Sequence, residues 1–161
     1  MEAEKVNRWL TLGANFGVLI GIILLVVELD QNREMIRAQT RNEISQQLTN
    51  RLLMMGSNSQ VASLKRRAEA GEELTTDEEH QYFLLFVANM RDWENIHYQY
   101  RHGTFDKNEF DAEKTTWQYL ININKAFARG WCPTRQNYSP EFAAELESLL
   151  YEDVCATTQD Q

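Results

Sequence analysis

The 161-residue sequence predicts an all-α protein: an N-terminal transmembrane helix continues into a long helix, and a small helical bundle follows. Three observations carry that prediction. One uncharged apolar run is long enough to cross a bilayer. No Pro occurs before Pro133, and Gly is absent between Gly21 and Gly56, so nothing breaks the helix that leaves that run. Farther along, capping signals recur ahead of apolar patterns at helical spacing, while no useful stretch alternates with a period of two.

The apolar run reads WLTLGANFGVLIGIILLVV from Trp9 to Val27, with only Thr11 and Asn15 polar. Its 19 residues, at about 1.5 Å each, span about 28 Å, close to the hydrocarbon thickness of a bilayer. Residues 1–8 form a charged flank with Lys5 and Arg8, and the span is placed at 9–29, where Glu28 closes it. Trp9 stands at the position of an interfacial aromatic. A cleaved signal peptide has a shorter apolar region followed by a small-x-small site, whereas VVELDQNREM follows here. The expectation is an uncleaved anchor in a membrane.

Gly13, Gly17 and Gly21 recur every four residues and fall on one narrow stripe, which Leu24 and then Glu28 extend. Lipid tails supply no hydrophobic force between helices, so association in a membrane depends on close backbone approach over small residues. The stripe therefore predicts a homo-oligomer built through Gly13, Gly17, Gly21, Leu24 and Glu28. Asn15 lies on nearly the opposite face and offers a second contact, which favours more than two copies. A bundle on that stripe would also set Glu28 at the mouth of its axis, and an oligomeric ion channel or pore is the alternative reading. Leu24 and the glycines would make such an axis tight and dry.

Residues 30–55 continue the helix, with Ile36, Thr40, Ile44, Leu48, Leu52 and Met55 on one apolar edge. Arg33, Arg37 and Arg41 outweigh Lys5 and Arg8 only slightly, so charge leans weakly toward a cytoplasmic soluble part. The bundle is placed at 56–152. Gly56-Ser57-Asn58-Ser59 opens a short helix over Gln60–Ala70, ended by Gly71. Thr75 and Thr76 begin two overlapping T-x-x-E capping boxes for a central helix from Asp77 to His102. Asp106 starts another helix, expected to run to Gly130 with Phe110, Trp117, Leu120, Ile121 and Phe127 facing inward. The segment WCPTRQNY reads as a loop. Ser139-Pro140-Glu141 then caps a last helix that buries Phe142, Leu146, Leu149 and Leu150. Residues 153–161 read as a flexible acidic tail.

The net charge of −8 and pI near 4.9 argue against a nucleic-acid binder. Glu94 and His97 are three apart, the spacing that di-iron bundles use, but such sites need two such pairs and two further glutamates. Neither His80 nor His102 has a Glu three residues before it. The expectation is therefore no metal and no cofactor, with Glu94, His97, Tyr98 and Arg101 as a buried polar network that closes the core. Cys132 and Cys155 lack a neighbouring His in sequence, and no nucleophile elbow, phosphate loop or dinucleotide fingerprint occurs. No catalytic residue is assigned and the chain is read as a non-enzyme. A membrane-tethered enzyme or metal protein using Glu94 and His97 remains the second alternative.

Trp9–Asn15, Glu28–Asn32, Leu74–Glu79, Glu94–Gly103 and Ser139–Phe142 together give the chain a recognisable pattern. It resembles a family of uncharacterised bacterial single-span, membrane-anchored helical proteins that has no assigned activity. The resemblance implies an architecture and a bacterial source and carries over no site residues; with the apolar span it sets the expectation of the bacterial inner membrane, with the lipid bilayer as partner.

Overall fold

The computed structural model describes residues 2–156 and divides the chain into two units, 1–39 and 40–161. Among the described residues there are six α-helices and no strand. The first, α1, runs unbroken from Glu2 to Ser57, in keeping with the lack of Pro and of any Gly between Gly21 and Gly56. Within residues 2–39 every residue of this helix is exposed.

The second unit holds the rest of α1 and five further helices. Helix α2 (Ser59–Glu69) starts at Asn58, whose side chain accepts from the backbone N–H groups of Gln60 and Val61. It stops at Gly71, with φ +79° and backbone bonds from Gly71 to Ala68 and from Glu72 to Arg67. Helix α3 (Thr76–Arg101) opens with one complete capping box. The Thr75 hydroxyl accepts from the Glu78 backbone, and the Glu78 carboxylate accepts from the Thr75 N–H. Helix α4 (Lys107–Ile123) is capped by Asp106, and α6 (Pro140–Glu147) by Ser139 with Pro140 in its first turn.

Between α4 and α6 the structure corrects the expected pattern. The helix from Asp106 ends at Ile123, not Gly130, because Asn124 turns to an extended backbone (ψ 100°). The Asn124 side chain accepts from the Ala126 N–H at 2.9 Å, and Lys125 N–H donates to the Glu69 carbonyl at 3.1 Å. A new helix, α5 (Phe127–Thr134), then takes in the first part of the segment read as a loop, and a 3₁₀ turn covers Arg135–Asn137. Gly130 therefore lies inside a helix. A Cβ there would come 2.7–2.8 Å from three ring atoms of Phe86, so glycine is required by close approach rather than as a helix stop. Leu120, expected to face inward, is exposed.

One aromatic core joins α3, α4, α5 and α6. Trp117, Trp131, Phe110 and Phe142 are fully buried, with Met90 and Leu146 beside them. Trp93 stacks on Trp117 with ring centroids 5.1 Å apart, and Trp131 stacks on Tyr138 at 5.4 Å. A Cys132–Cys155 disulfide with a Cα separation of 5.5 Å ties α5 to the C-terminal stretch. Asp153 accepts from the Cys155 and Ala156 N–H groups. Of the stretch read as a tail, residues 153–156 are thus held by these bonds, and 157–161 lie outside the described residues.

Candidate functional site

Two surfaces and one cavity hold the residues that sequence reasoning singled out, together with some that it missed. The first surface is the apolar stretch of α1. An 18-residue window of this helix has the length and composition of a membrane span, and none of it is buried. Phe16, Leu19, Ile22 and Ile23 are each more than half exposed. A Cβ built on Gly13, Gly17 or Gly21 meets nothing within 4 Å, so the glycines are not required by packing inside the chain. Asn15, Leu24 and Glu28 are likewise exposed.

The second surface is the outer side of α3 from Arg91 to His102. Glu94, His97, Tyr98 and Arg101 line one shallow depression there. Among the described residues, no hydrogen bond joins these four side chains to one another. Each has its own partner elsewhere. The Glu94 carboxylate accepts from the Ser139 backbone N–H at 2.7 Å and from Arg91 at 2.6 Å. Arg91 also donates to the Asn137 carbonyl and lies over the Tyr138 ring. Arg101 donates to Glu141 at 3.1 Å, and together with the helix's own backbone N–H it holds the Glu141 carboxyl below its usual range. Tyr98 is 53% exposed and stacks on His102 rather than closing the core.

His97 alone of the four is buried, at 5% exposure, between the rings of Phe110 and Phe142. Its apolar surroundings disfavour the charged imidazolium and lower its pKa from the ordinary value. Glu94 and His97 share a helix face as the i, i+3 spacing requires, but the carboxylate is engaged by α6's N-cap and the imidazole by aromatic rings. No group of three or more His, Cys, Asp or Glu side chains stands close enough to hold a metal ion among the described residues. The arrangement is a clamp: Arg91, Glu94 and Arg101 fasten the start of α6 to α3.

Sequence reasoning missed the cavity, of about 390 Å³, that lies inside the second unit between the end of α1 and helices α2 to α5. Ile44, Leu48, Leu52 and Met55 form part of its wall, so the apolar edge of the long helix lines this space, with only Ile44 buried. Arg51 enters from the same helix, donates to Asn89 at 3.0 Å and pairs with Asp92. Lys65 pairs with Glu69 nearby. Glu113 on α4 also lines the cavity, and burial pushes its carboxyl above the usual range. Trp117, one turn later, is fully buried, and its indole N–H closes no hydrogen bond of normal geometry, although it lies close enough to favour the Glu113 carboxylate. The signal in the sequence was Arg51 set among Leu48, Leu52 and Met55. A cation on an apolar edge calls for a buried partner, but the partner's identity is a tertiary fact.

No family model, curated protein or solved structure matches the chain. The site's chemistry therefore has to be argued from these residues alone.

Proposed function

We propose that this chain is a single-pass protein of the bacterial inner membrane, belonging with the anchored helical proteins it resembles. Residues 9–29 hold it in lipid, and a small helical bundle over 56–152 serves as a non-enzymatic assembly or scaffold element. The observation that carries the reading is the wholly exposed apolar window of α1. Contiguous apolar patches beyond a few hundred Å² mark a membrane or protein interface. The open space beside Gly13, Gly17 and Gly21 supports the same helix as the self-association surface, in a homo-oligomer of more than two copies.

The Cys132–Cys155 disulfide supports an orientation opposite to the weak lean of the arginine count. Reduced thiols are the rule in bacterial cytosol, and bridged pairs persist in oxidising compartments. One covalent bridge outweighs a difference of one basic residue across the span. The soluble part is accordingly assigned to the periplasmic side.

Two measurements test this reading. The full chain should stay with membranes after alkaline carbonate washing and keep its N-terminal sequence. Release into the supernatant, or loss of residues 1–27, would refute the anchor. In mild detergent, Gly17→Leu should reduce the particle to a smaller copy number, and an unchanged mass would remove the glycine ridge from the interface.

A further inference from the structure

The cavity within residues 40–156 stands apart from the membrane reading and carries a ligand assignment of its own. At about 390 Å³ it falls in the size range of small-molecule sites, and its wall is mostly apolar, with a few polar groups converging on it. Those polar groups are unbalanced in charge. Arg51 is joined to Asp92, and Lys65 to Glu69. Glu113 is the fifth charged residue on the wall, and the cation that acts on it, Arg51, is already bonded to Asp92. An anionic ligand would meet two cations already neutralised and one carboxylate in excess. A wholly apolar ligand would leave that carboxylate further desolvated, which is costly for a charged group.

We propose that the cavity binds an apolar molecule carrying one primary-amine cation, with the ammonium on Glu113 and the apolar body against Leu48, Leu52, Leu85, Phe86 and Trp93. The buried indole of Trp117 completes the arrangement. Its N–H already lies close enough to favour the Glu113 carboxylate without closing a bond of normal geometry, and a Glu113 held ionised by the ligand's ammonium is the better acceptor for it. Burial raises the Glu113 carboxyl against the lowering pull of Trp117 and Arg51, and a ligand cation beside it would favour the ionised form.

The test uses the full chain in lipid nanodiscs and two probes, dansylcadaverine and its N-acetyl derivative, in which a small acetyl group removes the charge of the amine. Tryptophan-excited dansyl emission reads occupancy, with empty nanodiscs as the blank. The amine should saturate at one molecule per chain and bind about tenfold tighter than the acetylated probe. Glu113→Gln should erase that difference by weakening the amine alone. Ala88→Trp, a substitution at an exposed residue of the cavity wall, should exclude both probes. Equal binding of the two probes by the unaltered chain overturns the proposal without any variant. So does an absence of saturable emission above the blank, or an amine preference that survives in folded Glu113→Gln.

Discussion

Replacing glycine by alanine at two helical positions should move stability in opposite directions, for reasons fixed by what surrounds each one. Gly130 lies within α5, where alanine would ordinarily gain about 1 kcal/mol in helix propensity. The added methyl, however, would stand 2.7–2.8 Å from Cδ1, Cε1 and Cγ of Phe86, whereas ordinary contact begins near 3.4 Å. The ring must retreat by about 0.6 Å or more. The ring is 5% exposed and set edge-on against Phe127 at 5.8 Å, and although it borders the cavity, moving would give up that edge contact. Overpacking of this kind costs about 1–3 kcal/mol, so Gly130→Ala should lose up to about 2 kcal/mol net of the propensity gain. At about 4 °C per kcal/mol, that is a fall in Tm of up to about 8 °C. Gly56 sits in the last turn of α1 with nothing within 4 Å of a built Cβ, so Gly56→Ala should gain a few tenths of a kcal/mol. Thermal unfolding of the full chain, followed by near-ultraviolet circular dichroism of the buried tryptophans, measures both. A Gly130→Ala chain that gained the full propensity difference of about 1 kcal/mol would refute the packing argument.

Removing the bridge with Cys132→Ser and Cys155→Ser frees a loop of sequence separation 23, and loop-closure entropy sets the loss at about 3.4 kcal/mol. Denaturant unfolding with and without reductant checks it; the unaltered chain should show the same loss in reductant and the double variant none. The pairing also predicts that a thiol-alkylating reagent added to intact cells leaves both cysteines unlabelled until reduction. His97 makes stability depend on pH. The folded chain keeps it neutral below its ordinary value, while the unfolded chain takes up a proton near 6.5. The unfolded state thus binds more protons between 6.5 and the lowered folded value. Stability should fall as pH drops through that window, and His97→Gln should flatten the fall in acid unfolding curves.

What the sequence made legible were the features decided within one helical turn. Thr75 with Glu78, Asp106, and Ser139 with Pro140 each announce a helix start, because the hydrogen bonds that satisfy the first turn come from the same few residues. The length of α1 was equally plain from the absence of breakers. The break at Asn124 was not, since it is held by the Glu69 carbonyl and by Tyr82, whose hydroxyl bonds with the Asn124 amide 42 positions away. Gly130 was misread for a related reason: helix stop and ring clearance leave the same letter, and only the position of Phe86 separates them. Glu94, His97, Tyr98 and Arg101 were expected as one buried network, but Glu94 bonds to Ser139, Arg101 to Glu141, and Tyr98 stays exposed, which no spacing rule along α3 can reveal. Glu113 carried no motif at all. Its interest comes from an imbalance that emerges when Arg51 and Lys65 are matched to other carboxylates.

The surroundings of the glycines in this chain are of two kinds, and they divide what each substitution should do. Gly130 is buried beneath Phe86, so its methyl-free surface is part of the folding free energy of the second unit. Gly13, Gly17 and Gly21 have no neighbour within 4 Å of their built Cβ positions, so no packing contact among the described residues depends on their smallness. Any packing energy drawn from their smallness would have to come from association with something outside the chain. Effects at sites without shared partners add independently. Gly17→Leu should therefore change particle mass while leaving the unfolding of residues 40–156 untouched, and Gly130→Ala should lower that unfolding midpoint while leaving particle mass unchanged. Cross-effects in either direction would mean that association and folding are one process, and that the glycine ridge is not a separate interface.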